Sequence, residues 1–261
     1  MRRPPLRLLT PAASRAPAAP ARHGLARVLS KLGICSRSEA ARRIAAGRVS
    51  VAGRIVRDPE FPIARGGEAG IRMDGRALPV GQRRYLMLNK PRGLVTTAND
   101  EQGRDTVYRC FDGADFGHVA PVGRLDKASE GLLLFSNDPE WAARITDPES
   151  GPDKTYHVQV DVLPDAALLA ALEQGVDDAG ERLAARSARL LRRGERNAWL
   201  EIVLDEGCNR QIRRLLAAHG IDVLRLLRVA VGALQLGELP KGAWRELDAA
   251  EIDALARPSP R

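Results

Sequence analysis

The segment PVGRLDKASEGLLLF, residues 121–135, sets one carboxylate, Asp126, between the cations Arg124 and Lys127, just ahead of an apolar run. A carboxylate aimed by a rigid scaffold can serve as a nucleophile or a general base. On its own, an aspartate in a loop more often hydrogen-bonds the backbone of its own turn, so its neighbours decide how it reads. Glu130 follows four residues later, and two carboxylates would suit the acid/base work of a glycoside hydrolase. Lys127 and a Ser129-Glu130-Gly131 turn set Glu130 apart and make it peripheral.

Two further segments carry chemistry. EGCNRQIRRLL, residues 206–216, leaves a strand-like WLEIVL and enters a helix whose apolar positions are Ile212, Leu215 and Leu216. Arg210, Arg213 and Arg214 fall in its first turn, where exposed cations oppose the helix dipole at a cost of about 0.3–1 kcal/mol each. An anion nearby resolves that conflict, either an RNA phosphate or a carboxylate such as Asp126. In KTYHVQV, residues 154–160, the two-residue strand period puts Lys154, Tyr156, Val158 and Val160 on one face. Tyr156 thus points to the core side, and at the mouth of a pocket such a ring can stack on a base and offer its hydroxyl.

The elements that must position these residues are legible in outline. Strands are expected near 132–135, 154–160, 199–204 and 223–229, and helices near 139–146, 165–174 and 209–219. Because they do not alternate regularly as βαβ units, the class is α+β with a mainly antiparallel sheet. A basic arm over residues 1–23, with five prolines, six alanines and five arginines, is expected to be disordered. It also has the acid-free, Arg-rich character of a transit peptide, although its prolines oppose a long amphipathic helix. Order begins where Leu25, Val28, Leu29 and Leu32 trace one helical stripe ended by Gly33. Ser36 and Glu39 form a capping box for a second helix, which ends at Gly47, and RVSVAGRIV folds as a hairpin about Ala52-Gly53. The expected boundaries are 24–80 for this small module and 81–261 for the larger domain.

Charge is distributed unevenly. Residues 1–57 hold 13 Lys+Arg and one acid, whereas the remaining 204 residues hold 28 basic and 32 acidic side chains. A net +12 in the first fifth of the chain is the footprint of a module that meets phosphates. Three distant cysteines and four scattered histidines fit neither a disulfide framework nor a zinc site. No apolar run reaches the length of a membrane span.

LARVLSKLGICSRSEAARRIAAGRVSVAGRIV resembles the S4 RNA-binding domain over residues 24–80. Arg37, Arg42, Arg43 and Arg48 would then contact RNA phosphates, giving affinity with little sequence choice. Behind it, LNKPRG, VGRLDKASEGLLL, KTY and EGCNRQIRRLL resemble, in that order, the motifs of the RsuA-type pseudouridine synthases of ribosomal RNA. The resemblance implies a two-lobed domain with a long mixed sheet and a central cleft. Carried over by position, Asp126 is the catalytic aspartate, Tyr156 stacks on the target uracil and Arg213 pairs with Asp126. Lys90, Arg124, Lys127, Arg210 and Arg214 are the accompanying RNA-binding candidates, with Arg124 supporting the extruded nucleotide. Cys208 departs from the basic or polar residue common at its place, which would alter a peripheral RNA contact.

Uridine isomerisation breaks the N1–C1′ bond, turns the uracil, joins C5 to C1′ and releases the C5 proton, so it demands no cofactor or metal. The residues leave open whether Asp126 attacks C1′, adds to C6 or removes a sugar proton. The expected partner is ribosomal RNA or a pre-ribosomal particle, with the large subunit slightly favoured by the wording of residues 126–138. With no membrane span and no continuous apolar run of a secretory signal in residues 1–23, the expected location is the cytoplasm, and the resemblance further implies a monomer. The rival expectation is a non-catalytic RNA-binding or assembly factor.

Overall fold

The computed structural model describes residues 22–64, 66–78, 82–98, 100–114 and 117–257, so most of the expected arm lies outside the described residues. Its last two residues are ordered instead: Arg22–Gly24 form β1, drawn into register by antiparallel pairing with β4. The N-terminal module continues with α1 (Leu25–Lys31), α2 (Arg37–Ala45), β2 (Val49–Val51), β3 (Arg54–Val56), β4 (Pro62–Ala64), β5 (Ile71–Met73) and β6 (Arg76–Ala77). Leu25, Val28, Leu29, Ala40, Ile44, Val49 and Ile71 make its core.

The Ser36 hydroxyl accepts the Glu39 amide at 3.2 Å, as a cap should. The Glu39 carboxylate turns away from the box, because Arg42 and Arg43 on its own helix offer it charged partners. Ala52 and Gly53 both adopt positive φ, 49° and 80°, which gives the hairpin its tight turn despite the alanine.

The larger domain is built on a nine-stranded sheet. In chain order its elements are β7 (Tyr85–Lys90), β8 (Ala120–Val122), β9 (Glu130–Ser136), α3 (Pro139–Thr146), β10 (Lys154–Val160), α4 (Ala166–Gln174), β11 (Val176–Asp178), β12 (Glu181–Leu183), β13 (Ser187–Arg193), β14 (Ala198–Leu204), α5 (Gln211–Ala217), β15 (Val223–Val231), β16 (Leu234–Gln235), β17 (Trp244–Glu246) and α6 (Ala249–Ala256). The sheet runs β13-β14-β10-β15-β9-β7-β17, with β16 beside β15 and β8 beside β9, while β11 and β12 form a separate hairpin. Its pairings are antiparallel except at β15–β9, where Leu227 faces Glu130 and Arg228 faces Gly131 in parallel register.

That two-residue parallel contact is the seam between two lobes. On the far lobe, Val158, Val160, Leu200, Ile202 and Leu226 pack under α4 and α5. On the near lobe, Leu132 and Leu134 meet α3 and α6, and the opposite face carries Leu133, Phe135, Leu88 and Phe111. Gly131 makes the seam close: its φ is +100°, and a Cβ there would sit 2.2 Å from the Arg228 carbonyl oxygen. Glu130 and Gly131 therefore belong to β9, correcting the expected turn.

The small module docks on α3. Lys31 Nζ lies 2.9 Å from Glu140, and Arg83 donates to the carbonyls of Lys31 (3.2 Å) and Asn137 (3.1 Å). Among the described residues no helix is long and apolar enough to cross a membrane.

Candidate active site

Asp126 sits in the loop between β8 and β9, and three donors fix that loop. Lys90, at the end of β7 and wholly buried, gives its ammonium to the carbonyls of Pro91 (3.1 Å), Asp126 (3.1 Å) and Ser129 (2.8 Å). Burial pulls the Lys90 pKa down to about 8. Lys90 is thus a staple of the loop, and the expected RNA contact is corrected, because its charge is sealed beneath the carbonyls it serves. Thr96 Oγ1 donates to Leu125 O at 2.7 Å, and the Ser129 amide closes the turn on Asp126 O at 3.0 Å. These bonds leave the Asp126 carboxylate about one-third exposed.

The ion-pair partner of Asp126 differs from the expectation. Arg210 Nη1 lies 3.5 Å from Asp126 Oδ2, and among the described residues no arginine or lysine other than Arg210 is within ion-pair distance of it. Arg210 precedes α5 in a left-handed conformation, φ 51° and ψ 32°, which swings its side chain back toward the loop. Arg213 instead donates to Val223 O (3.3 Å) and Ala128 O (3.5 Å), bracing the Asp126 loop from behind, and its Nε is buried without a partner. Burial and the neighbouring Arg210 lower its pKa, while the field of Asp126 opposes them. Arg214 also departs from its expected role. Asp178 and Glu181, each at 2.6 Å, engage it from the β11–β12 hairpin, so its charge is spent inside the protein.

Between the lobes lies a cleft of about 490 Å³ lined by Arg124, Asp126, Lys154, Tyr156, Ile212 and Arg228, among others. That is within the range of about 300–1,000 Å³ typical of small-ligand pockets. Tyr156 and Lys154 face it together, as strand alternation requires, with Leu226 and Val231 beneath. Exposed Arg124 lines both this cleft and a second, more polar hollow of about 580 Å³ that also holds exposed Lys127 and Asn209. The Asp126 loop is the wall between them. Neither Arg124 nor Lys127 has a carboxylate partner among the described residues. Cys208 is half-buried at the cleft wall, packs against the core under α5, and its amide donates to Gln211 Oε1 at 3.2 Å. Burial raises its thiol pKa.

Glu130 is absent from the cleft lining. It is 2 % exposed, clamped by Arg225 (2.6 Å) and Lys241 (2.7 Å), and these bonds hold its pKa at about 2. A carboxyl so acidic cannot hold a proton for a leaving group near neutral pH, which removes the two-carboxylate hydrolase.

The module's arginines sit on its surface as ion pairs. Arg37 meets Glu60 (3.2 Å), Arg42 and Arg43 share Glu39, and Arg48 grips Asp74 at 2.7 Å and 2.9 Å. Exposed pairs are worth about 0.2–1 kcal/mol, so phosphates can displace the acids from Arg37, Arg42 and Arg48. Arg43 is half-buried against Met73. A hollow bounded by Ser30 of α1 shares Val122, Gly123 and Thr146 with the cleft, so the module adjoins it.

Arg228 escaped the sequence reading. It is buried, lines the cleft and donates Nε to Leu132 O at 2.7 Å. The available signal was Arg225 and Arg228 three apart in a strand, a spacing that puts two arginines on opposite faces.

Known proteins resemble both parts of the chain. Residues 84–218 match the model of the RNA pseudouridylate synthase family and residues 24–68 that of the S4 domain. The chain is 34 % identical over 233 residues to the ribosomal large subunit pseudouridine synthase B of Bacillus subtilis, covering 88 % of this chain and 94 % of that one. It is 37 % identical over 237 residues to the protein of the same name from Escherichia coli strain K12, covering 88 % and 81 %. A crystal structure of a pseudouridylate synthase superposes with a TM-score of 0.63 at 31 % identity, covering 89 % of this chain and 99 % of that one.

Proposed function

The chain belongs to the RNA pseudouridylate synthase family, and from that premise we propose that it isomerises a uridine of large-subunit ribosomal RNA, with Asp126 as the reacting carboxylate. The observation that carries the proposal is the placement of Asp126, Tyr156 and Arg210 around one cleft at the lobe seam. The substrate class follows the similar proteins, whose names specify the large ribosomal subunit.

The geometry supports the following roles. The target base leaves its stack at a cost of a few kcal/mol and enters the cleft, with Tyr156 against its face. Arg124 and Lys127, exposed on the loop itself, hold flanking phosphates, and the small module adds sequence-independent affinity beside them. Arg210, 3.5 Å from Asp126 Oδ2, orients the carboxylate at the cleft. Arg213 and Lys90 hold the loop so that the carboxylate cannot swing away.

The test is Asp126→Asn. That variant should fold, bind a large-subunit rRNA transcript with affinity like that of the wild type, and form no pseudouridine by carbodiimide–primer extension. Turnover by Asp126→Asn would remove Asp126 from the chemistry. An unchanged pseudouridine map in a strain lacking the protein would refute the substrate.

A further inference from the structure

Arg228 is the unexplained charge of the cleft. It is 6 % exposed, yet its recorded partner is a neutral carbonyl, Leu132 O. Among the described residues no carboxylate pairs with it: Glu130, one register position away in the seam, is committed to Arg225 and Lys241. A buried cation without a counter-ion costs several kcal/mol, so an arginine serving only as a strut across the seam would be a poor choice.

Its aim is set by a break in the β10–β15 ladder. Thr155 pairs with Ala230 but Tyr156 with Arg228, so Val229 is bulged out. The bulge restarts the alternation, and Leu226, Arg228 and Val231 all face the cleft at spacings of two and three. Gly131 allows β9 to close on the Arg228 backbone, which fixes the base of the side chain directly opposite Tyr156.

We infer that the Arg228 guanidinium is the electrostatic partner of the detached uracil, holding the ring as its anion between bond breaking and bond making. This rests on the isomerase reading. When N1–C1′ breaks, the bonding pair leaves on the uracil, whose negative charge spreads over N1, O2 and O4. The ring must turn and return that electron density through C5 to C1′, after which the C5 proton leaves. A preorganised cation in a water-poor site stabilises such charge strongly. Arginine suits this step because it does not give up its proton: it holds the anion without quenching it. A lysine buried at the same place has a depressed pKa and can protonate N1, giving neutral uracil that no longer returns to C1′, while water takes C1′ and the net result is hydrolysis.

The experiment uses the full chain and a stem-loop RNA bearing the uridine that the wild-type protein modifies, made with uridine or with 5-fluorouridine. Fluorine makes the departing ring more acidic, so the bond breaks with less help. Single-turnover loss of the target nucleoside is followed by chromatography of nuclease digests, which separates the product from its equal-mass parent, with free base measured in parallel. Arg228→Gln should bind RNA within about twofold of wild type but react about 10²–10³-fold more slowly on uridine. The loss should shrink at least tenfold on 5-fluorouridine. Because the two substrates are compared within one protein, partial unfolding cancels from the ratio. Arg228→Lys should release free uracil that wild type does not. Equal losses on both substrates, or full turnover by Arg228→Gln, overturn the inference. If wild type modifies no RNA, the isomerase reading fails instead.

Discussion

Replacing Gly131 by alanine strikes the seam on which the cleft depends. The new Cβ would stand 2.2 Å from Arg228 O, 2.7 Å from Leu227 Cδ1 and 2.9 Å from Arg228 N, where ordinary contact begins near 3.4 Å. The Leu227 methyl can move, but the two backbone atoms cannot without opening β9–β15 by about 1 Å, well short of van der Waals spacing as it stands. Backbone strain at φ +100° adds about 1–3 kcal/mol and overpacking about 1–3, for a total of about 2–6 kcal/mol. Urea unfolding of the purified protein measures that loss. The same shift displaces Arg228 relative to Tyr156, and a misplacement of about 1 Å costs about 10²-fold in rate. Single-turnover pseudouridine formation, run at a temperature where the variant is still folded, should fall by that factor. A Gly131→Ala protein within about 0.5 kcal/mol of wild type and fully active would refute the seam argument.

Other outcomes follow from the charges. Glu130 has a folded pKa of about 2 against an ordinary 4.5, so its stabilisation is present above pH 4.5 and is lost as the pH falls toward 2. Thermal melts across that window should flatten in Glu130→Gln, which should also lose about 1–3 kcal/mol at pH 7, a figure discounted because Arg225 and Lys241 are partly solvated. Lys90 shifts in the same direction for a different reason, burial penalising its charged form: with a folded pKa of about 8 below the ordinary 10.5, the protein again gains stability as pH rises, here from about 8 to 10.5 and by up to about 3 kcal/mol. Lys90→Met should lack that rise. Lys127→Ala should reduce the salt dependence of RNA binding by about one phosphate contact, whereas Arg214→Ala, its charge already matched by Asp178 and Glu181, should leave the slope unchanged and loosen the β11–β12 hairpin.

Much of the scaffold was legible because it obeys local rules. Alternation in KTYHVQV placed Tyr156 on the cleft face, Asp138 and Pro139 began α3 where expected, and the Ser36 cap fixed the start of α2. Strand β13, SARLLRR, was not expected, since its exposed edge position leaves no apolar alternation to read, and α6 went unnoticed for its weak stripe. The site itself was legible in part. Asp126 and Arg210 were flagged as an anion and a cation needing partners, but their pairing required the left-handed turn at Arg210 that only the assembled loop imposes.

By itself, the order of residues determined which groups exist to react and which local elements carry them, because capping, strand period and turn chemistry act over a few neighbours. The tertiary structure decided which arginine meets Asp126, that Lys90 is buried and Arg214 spent, and that Arg228 floors the cleft. Those outcomes depend on a parallel contact between residues about a hundred positions apart and on one bulged valine. Burial and partner choice are properties of that long-range packing, and no local pattern in the chain encodes them.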